Sequence, residues 1–498
     1  MEMDRASQKW NLAMEDISLS IQWSGPMSVS LLVISVIVVL RNWNWWWYVP
    51  RLQQGQAPLP LGDMGWPIIG QIIHFLRAFK SPDPDSFIGN MAKRWGRLPL
   101  YTTHLFGQPT VLATTAESIK QVCMDGEVFK SGWPKSTRTI LGRKSFAVLE
   151  GYEHRRLRRL TSQGLQGQQA LKTYIPNIEE NCKAKLESWA KEAQFEVVPK
   201  LQEFTFEVIS LIFMSYAGGP VAQQLLHDFE FMVHGLRAMA IDIPGFAYHR
   251  SLKARKKVLK AIQGILDERR MNNIIKHNDV LDTLLEAKDE NGIHLTDEEI
   301  IDTILVFLIA GHQSSTFSIA WVMIFIQKRP EVLRACREEQ LRIRKTKSPE
   351  EHLTYADFRS MTYLNAVIDE TMRIVNVTPF AFRRVSKTVE IDGFTVPQGW
   401  FIETWFRAAH LDESVYPEPY KFKPERWQAF KPRAGEFIPF GLGNRSCIGN
   451  ELAKMEMSIF LHHAILNYRW EPVNPHSPTK YLPHPQPTDG YLVNFSHI

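Results

Sequence analysis

The stretch FIPFGLGNRSCIGNELAKMEMSIF, from Phe437 to Phe460, decides the fold class, because it sets a cysteine in a glycine-rich loop directly ahead of a helical run. Cys447 stands among Gly441, Gly443 and Gly449. Glycines let the backbone approach a flat ligand closely. Backbone N–H groups in such a loop, and at a helix start, can point at one atom. We therefore expect a stabilised thiolate at Cys447, with a lowered pKa.

Two further side chains near the loop indicate which ligand it holds. Arg445 can reach a carboxylate, and Phe440 stands at the start of the loop. A haem, with its propionates and a thiolate as axial ligand, requires this combination. The alternative is a buried structural cysteine in a glycine-rich turn. The offsets of Phe440, Gly443 and Arg445 from Cys447 argue against that alternative.

Composition narrows the class of protein. The chain has 498 residues and a formal net charge of +5, which is too mild to indicate nucleic-acid binding. A basic patch for an acidic protein partner or an anionic lipid surface fits this charge equally well. The four cysteines are far apart and form no CxxC, so neither a disulfide scaffold nor a structural zinc site is expected.

The front of the chain predicts a membrane anchor. A short polar N-terminus (residues 1–20) precedes an apolar span with an aromatic cluster (21–48), a Pro/Gly-rich linker (49–70) and one catalytic domain (71–498). The apolar span is long enough to cross a bilayer, and Arg41 and Arg51 behind it place the domain on the cytoplasmic side. A cleaved signal peptide and a buried soluble helix are the alternatives.

The body of the chain reads as mainly α-helical with small β-sheets. The clearest helix is expected from about Thr296 to Lys328, apolar all round and therefore crossing the core. A second helix is expected from about Thr362 to Ile374. The stretch VEIDGFTVPQGWFIETW, residues 389–405, reads as a hairpin with turns near Gly393 and Gly399.

The cysteine loop resembles the haem-binding signature of the cytochrome P-450 family, FxxGxRxCxG. Phe440, Gly443, Arg445, Cys447 and Gly449 fill its specified positions, and Ile448 replaces the proline that often follows the cysteine. The resemblance implies the haem-thiolate fold, haem b with Cys447 as the axial ligand of its iron, and activation of O2.

Further motifs of the same family follow in the expected order. Glu370 and Arg373 form an ExxR on one helix face, and PERW supplies Arg426. The resemblance implies that these three form a buried ion network beneath the haem loop, with a structural role. A solvated surface pair is the alternative for the ExxR alone.

The resemblance also implies contacts to the haem propionates. Arg158 resembles the family's propionate arginine, His154 stands where many members carry Trp, and Arg383 is similar to a second propionate partner. For each arginine the alternative is an exposed basic residue.

AGHQSS, residues 310–315, resembles the oxygen-binding segment AGxD/ExT on the long helix. The resemblance makes Gly311, Gln313 and Ser314 the candidate catalytic residues. The acid that usually helps deliver protons is replaced by Gln313, and an amide cannot relay a proton as a carboxylate does. Ser314 keeps the alcohol. His312 is expected to be a packed histidine.

Longer strings resemble one plant group, the ent-kaurenoic acid oxidases and the related β-amyrin oxidases. They are GDMGWPIIG (62–70), DPDSFIGNMAKRWG (83–96), GWPKST (132–137), GRKSF (142–146), AMAIDIPGFAYHRSLKARK (238–256), YLPHP (481–485) and PTD (487–489). The resemblance implies a monooxygenase at the endoplasmic reticulum membrane. Its electrons come from NADPH through a membrane flavoprotein reductase. Its substrate is a polycyclic terpenoid: ent-kaurenoic acid or a related diterpenoid of gibberellin biosynthesis, or alternatively a triterpenoid. Membrane lipid is an expected partner and nucleic acid is not.

Residues of the predicted substrate pocket are hypotheses, each with ordinary core packing as the alternative. They are Trp133, Ile140, Phe146, Phe307, Phe380 and Leu482. The cations Arg138, Arg143 and Lys144 lie near the first three and could bind a terpenoid carboxylate. Exposure to solvent or contact with haem propionates is the alternative for these cations.

Two functions of other classes remain open on the sequence. A haem-thiolate isomerase or dehydratase needs neither NADPH nor reductase, and the replacement at Gln313 favours it. A non-catalytic haem or terpenoid binder predicts tight binding without turnover.

Overall fold

The long helix at the centre of the fold runs as the sequence predicts. In the computed structural model, which describes residues 29–216, 219–272, 276–348, 350–482 and 484–498, it spans Asp297–Gln327. Thr296 caps it by accepting from the backbone N–H of Glu299, whose side chain accepts from the Thr296 N–H in return. Most of its residues are buried on every face, so the helix crosses the core.

The remaining helices surround this one, and eighteen helices are described in chain order. They are α1 (Val29–Tyr48), α2 (Ile72–Lys80), α3 (Ser86–Trp95), α4 (Ala116–Met124), α5 (Lys135–Leu141), α6 (Gly151–Ser162), α7 (Gln168–Glu192), α8 (Val197–Met214), α9 (Gly219–His234), α10 (Ala247–Met271), α11 (Val280–Glu286), α12 (Asp297–Gln327), α13 (Pro330–Lys345), α14 (Tyr355–Ser360), α15 (Thr362–Val375), α16 (Phe406–His410), α17 (Arg426–Ala429) and α18 (Asn450–Asn467). Two 3-10 turns, Gly235–Arg237 and Gly443–Arg445, complete the set.

Thirteen short strands form four small sheets within the described residues. They are β1 (Gly62–Asp63), β2 (Leu100–Leu105), β3 (Gln108–Ala113), β4 (Phe129–Ser131), β5 (Gln194–Glu196), β6 (Ala381–Val385), β7 (Val389–Ile391), β8 (Phe394–Val396), β9 (Phe401–Thr404), β10 (Tyr468–Pro472), β11 (Thr479–Lys480), β12 (Gln486–Pro487) and β13 (Leu492–His497). The largest sheet has the order β1-β2-β3-β9-β6-β4. The others are β10-β13-β5, β11-β12 and β7-β8.

The predicted hairpin at residues 389–405 is only partly a hairpin. β7 and β8 pair antiparallel across a turn at Gly393, whose φ of 76° suits glycine. The third segment, β9, leaves the hairpin and joins the large sheet, parallel to β3 and antiparallel to β6. Local patterning predicted the strands, whereas the partners of β9 are strands that lie far away in sequence.

The packing of α12 positions the site. Helices α8, α10, α11, α13, α15 and α18 all contact it. The helix α18, which follows the cysteine loop, therefore lies against the helix that carries AGHQSS. The main hydrophobic cluster is shared among these helices, and two smaller clusters lie under the large sheet.

In the described residues of the predicted anchor helix, the first and second halves have different surroundings. The predicted N-terminus (1–20) and residues 21–28 of the span lie outside the described residues. From Val29 to Leu40 the apolar side chains of α1 are exposed. From Arg41 onward the helix contacts the rest of the chain. Asn44 is 1% exposed and donates to the carbonyl oxygens of Met64 and Trp66, each at 2.8 Å.

The aromatic cluster after the span divides between two environments. Trp43, Trp46 and Trp47 are exposed, as the membrane-interface prediction requires. Trp45 packs against the cluster under the sheet, and the Tyr48 ring lies 5.2 Å from that of His104. The following segment, 49–70, contributes β1 to the large sheet by pairing with β2. It therefore belongs structurally to the catalytic unit.

Candidate active site

The cysteine loop is a closed turn whose shape depends on glycine. The N–H of Cys447 donates to the carbonyl oxygen of Phe440 at 2.8 Å. Gly441 and Gly443 have φ values of 71° and 73°, in the left-handed region. A Cβ on Gly443 would lie 2.2 Å from the carbonyl oxygen of Cys123 at the end of α4. Only glycine therefore lets the loop lie this close to α4.

Opposing effects act on the Cys447 thiol. The N–H of Gly449 and the charge of Arg158 lower its pKa, but burial raises it, and the burial effect is larger. The expectation of a lowered pKa was wrong for the protein alone, because desolvation of the thiolate outweighs these two contacts. Of the four cysteines, Cys447 is the one exposed residue, and the other three are buried.

Three guanidinium groups act on one another's charge here, with Arg158 next to this thiol, and the pKa of each is lowered. Burial lowers the pKa of Arg158 and Arg383, and it lowers that of Arg445 to about 10, with help from the other two arginines. His154 faces the same charges, and burial and these cations lower its pKa to about 3. Desolvated cations that repel one another indicate a missing anionic partner.

The hydrogen bonds of these groups go to neutral acceptors. Arg445 donates to the carbonyl oxygens of Phe146 and Leu149, Arg158 donates to Ser446 Oγ at 3.2 Å, and Arg383 donates to the Phe382 carbonyl at 3.1 Å. None of the three arginines has an ion pair with a carboxylate among the residues described. The buried Nε2 of His154 also has no partner there. Such a set fits a ligand that carries carboxylates, as haem propionates do.

The ExxR motif forms a buried network under the loop. Arg373 donates two hydrogen bonds of 2.9 Å to the carboxylate of Glu370, which Arg426 joins at 3.0 Å. The Lys423 N–H and the Trp427 indole also donate to Glu370. Glu370 and Arg373 are both 0% exposed. The solvated-pair alternative is therefore excluded, because five donors satisfy one buried carboxylate.

The AGHQSS segment is the part of α12 whose surface is partly exposed. Residues 302–308 and 315–320 are buried, whereas Ala310 is exposed and Gly311, Gln313 and Ser314 are half-buried. A Cβ on Gly311 would lie 3.1 Å from Ile209 Cγ2 on α8, so a larger residue would push against that helix. The Ser314 hydroxyl donates to the Ala310 carbonyl oxygen at 2.6 Å.

His312 points away from this partly exposed surface. It is fully buried, lies between the rings of Phe206 and Phe229, and contacts Thr205 through Nδ1. Burial lowers its pKa to about 3, so the ring is neutral. The prediction of a packed histidine is confirmed.

The structure adds one residue that sequence reasoning missed. His484 lies in the segment between β11 and β12, and its Nε2 is 3.1 Å from Gln313 Oε1. His484 belongs to YLPHP, one of the strings that resemble the plant group. No sequence spacing relates it to Gln313, which lies 171 residues away. Only the fold brings these two side chains together.

The predicted pocket residues fall into two groups. Phe146 and Phe307 meet with ring centroids 5.7 Å apart, and Phe307 also contacts Phe213 on α8. Ile140 is fully buried in the main cluster, and Trp133 is 37% exposed and donates to the Ala147 carbonyl.

The second group lies on another cluster. Phe380 packs on Trp405 at 5.1 Å between ring centroids, and Leu482 lies against the same cluster. The sequence alone could not separate these residues from the first group, since both read as apolar.

The three cations near the pocket face outward. Arg138, Arg143 and Lys144 are all exposed, so the solvent alternative describes them. The Lys144 backbone N–H donates to Asp302 on α12 at 3.0 Å, and Arg255 on α10 pairs with the same carboxylate at 3.1 Å. The charges on this side of the pocket are therefore engaged in holding α10, α12 and the connecting segment together.

Comparison with known proteins agrees with the fold and the motifs. The sequence model of the family "Cytochrome P450" matches residues 60–494. The chain is 45% identical to ent-kaurenoic acid oxidase 2 of Arabidopsis thaliana over 97% of this chain and 99% of that protein. It is 36% identical to the beta-amyrin 11-oxidase of Glycyrrhiza uralensis over 95% of this chain and 98% of that protein.

A solved structure shows the same architecture. The retinoic-acid-bound cyanobacterial CYP120A1 matches with a TM-score of 0.80 and 28% identity, covering 89% of this chain and 100% of that chain. The mainly helical fold with small sheets is thus confirmed. The chain belongs to the cytochrome P450 family and is one of its monooxygenases.

Proposed function

We propose that this monooxygenase oxidises a polycyclic diterpenoid acid, ent-kaurenoic acid or a close relative, using NADPH and O2. The observation that carries this proposal is the 45% identity to ent-kaurenoic acid oxidase 2 over nearly the whole of both chains. The matched region spans the pocket-forming segments as well as the haem loop. The same reasoning gives the reaction a place in gibberellin biosynthesis.

In this proposal the Cys447 thiolate would hold the iron of haem b. The Gly449 N–H and Arg158 would stabilise this thiolate once the iron replaces the proton. Arg158, Arg383 and Arg445, with Nε2 of His154, would bind the propionates, since the described part of the chain offers none of these groups an anionic partner. Phe440 and Gly443 shape the loop. When bound, the haem supplies the oxidising power that inserts one oxygen atom into a C–H bond.

The protein's own contribution is orientation and exclusion of water. Phe146, Phe307 and their apolar neighbours form a wall suited to a rigid hydrocarbon skeleton. Gly311 leaves room beside α12, and Gln313 and Ser314 offer hydrogen bonds there. Glu370, Arg373 and Arg426 hold the haem loop in place from below and take no part in the reaction.

The second candidate substrate is a neutral triterpenoid. The pocket wall is apolar, and Arg138, Arg143 and Lys144 are exposed, so none of these three cations lies on the wall to meet a substrate carboxylate. This arrangement suits an uncharged skeleton such as β-amyrin. The 36% identity to a beta-amyrin 11-oxidase is compatible with this alternative.

We further propose that the enzyme is anchored by one helix in the endoplasmic reticulum membrane, with the catalytic unit in the cytosol. The exposed apolar half of α1 supports this location. A flavoprotein reductase in the same membrane would supply electrons from NADPH. Such a location also gives a lipid-soluble substrate direct access from the bilayer.

The test uses microsomes that contain this protein and a reductase. They are incubated with ent-kaurenoic acid or with β-amyrin, with and without NADPH, and the products are identified by mass spectrometry. Microsomes with reductase alone are the control. NADPH-dependent oxidation of the diterpene acid is the expected result.

Other outcomes decide between the alternatives. Oxidation of β-amyrin alone would transfer the assignment to the triterpenoid. Product formed without NADPH would overturn the monooxygenase reaction in favour of an isomerase or dehydratase.

A further inference from the structure

His484 is held by three contacts at the opening of α12. Its Nδ1 lies 3.1 Å from the carbonyl oxygen of Val377, and its Nε2 lies 3.1 Å from Oε1 of Gln313. Its ring packs against that of Phe317, with centroids 5.0 Å apart. A ring fixed on two edges and one face has a defined orientation.

Both ring nitrogens of His484 face carbonyl oxygens, which can only accept. A ring whose Nε2 carries a hydrogen matches the contact with Gln313, because Oε1 can only accept. The contact also determines the orientation of the Gln313 amide. Oε1 accepts from His484, so the amide NH2 group points away from the ring. Among the described residues the structure gives this NH2 group no acceptor.

The neighbours of Gln313 cannot supply the same donor. Ser314 has its hydroxyl hydrogen engaged with the Ala310 carbonyl oxygen at 2.6 Å. His312 points into the core. Gln313 is therefore the side chain of this segment that retains hydrogens to donate, at the place where Ala310 and Gly311 open the helix surface.

We propose that His484 is a positioning residue that turns the amide NH2 group of Gln313 toward the opening beside Ala310 and Gly311. In this orientation the amide offers a hydrogen-bond donor where an acid is usual in the family. The donor cannot release its proton, so it orients what lies beside it, and the protons that the reaction consumes come from water. The inference rests on the family's monooxygenase reaction and is independent of which substrate is oxidised.

The test needs no substrate. Carbon monoxide is bound to the reduced haem of the purified holoenzyme, and its C–O stretching band is measured by infrared spectroscopy. A hydrogen-bond donor directed at the carbon monoxide lowers the frequency of this band. The variants are His484→Ala, His484→Gln, Gln313→Ala and the double variant. His476→Ala is the matched control, since His476 is an exposed histidine of the same C-terminal segment.

We expect His484→Ala and Gln313→Ala to shift the band to higher frequency by similar amounts. The double variant should shift it no further, because both changes remove the same oriented donor. His484→Gln, which can still donate to Oε1, should restore most of the wild-type frequency. The control should leave the band unchanged.

Three results would overturn the proposal. An unchanged band in His484→Ala would mean that His484 does not orient the amide. Shifts that add in the double variant would mean that the two residues act separately. A shift to lower frequency would mean that the carbonyl end of Gln313 faces the opening. The ordinary haem-thiolate absorption of each variant shows that the site itself is intact.

Discussion

At the scale of single residues, the protonation state of the Cys447 thiol depends on whether the sulfur binds a metal. Its pKa is raised by burial in the protein alone, although a backbone N–H and Arg158 both favour the thiolate. A metal that replaces the proton removes the cost of the buried charge. We therefore propose that the thiolate forms when the iron binds, whereas the free thiol keeps its proton.

We expect Cys447→Ser to lose the thiolate-type spectrum and the activity together, because a serine hydroxyl does not replace a thiolate ligand. The measurement is the difference spectrum of the reduced carbon monoxide complex. Cys336→Ser, at a buried cysteine of α13, is the control and should keep the spectrum. An ordinary thiolate-type band in Cys447→Ser would mean that the axial ligand is another residue.

Gln313→Glu should improve the coupling of NADPH use to product, since a carboxylate can pass on a proton and an amide cannot. His484 would pair with the new carboxylate and keep it ionised. The gain should therefore be larger when His484→Gln is added. The measurement is product formed per NADPH consumed. Unchanged or poorer coupling would mean that proton delivery does not limit this enzyme.

At the scale of elements, the Glu370 network joins α15, α17 and the chain before the cysteine loop. Arg373 also donates to the carbonyl oxygen of His410 at 2.8 Å, and His410 Nε2 accepts from the N–H of Ile438. The network thus extends along the chain to the start of the loop. The charges of Glu370 and Arg373 are fully buried, so the stability of the network depends on their partners being present.

Glu370→Ala should prevent stable haem incorporation. It would leave Arg373 buried without a counter-charge, a loss of about 3–5 kcal/mol. The measurements are haem content per protein and the temperature of unfolding. Lys421→Ala, which removes an exposed ion pair with Glu418, is the control. A Glu370→Ala protein with full haem content would contradict the structural role of the network.

The contact of α18 with α12 contains a buried acid. Glu456 on α18 is 2% exposed and hydrogen-bonds Ser315, and burial raises its pKa to about 8. In the unfolded chain the same group ionises near pH 4.5. The folded state therefore binds one more proton between these values, and its stability falls as the pH rises from about 4.5 to about 8.

Glu456→Gln should remove this part of the pH dependence, because an amide stays neutral throughout. We expect the variant to gain thermal stability relative to the native enzyme at pH 8, and to gain less at pH 5. The measurement is the unfolding temperature at several pH values. A difference that does not change with pH would show that Glu456 is not neutral in the folded protein.

Elements whose cause is local could be predicted from the sequence, and those whose cause is distant could not. The start of α12 was predicted at about Thr296, within one residue of its observed start, and the glycines of the cysteine loop predicted its turn. The pairing of β9, the contact of His484 with Gln313 and the net pKa of Cys447 depend on chain far away in sequence. The outward position of Arg138, Arg143 and Lys144 was left open for the same reason, since charge alone does not decide which way a side chain faces.

At the scale of the whole molecule, the second half of α1 docks on the rest of the described chain. Asn44 satisfies two backbone carbonyls near β1, Arg41 pairs with Asp63, and the Trp400 indole donates to the Tyr48 carbonyl at 3.4 Å. Before Arg41 the apolar side chains of α1 are exposed.

Two shortened proteins should differ in stability. Removal of residues 1–40 should weaken membrane binding and leave the unfolding temperature nearly unchanged. Removal of residues 1–56 should also lower that temperature, because the contacts of Asn44, Trp45 and Tyr48 are lost. The measurements are sedimentation with membranes and thermal unfolding. Equal unfolding temperatures would mean that the docked half of α1 contributes nothing to stability.

The docking of α1 has a mechanical consequence. A helix tied to its domain at one end cannot change its tilt in the lipid without turning the domain as well. Helix tilt follows the thickness of the hydrocarbon layer. The thickness of the surrounding bilayer would therefore set the angle at which the catalytic unit rests on it, and with it the depth from which the enzyme draws an oily molecule.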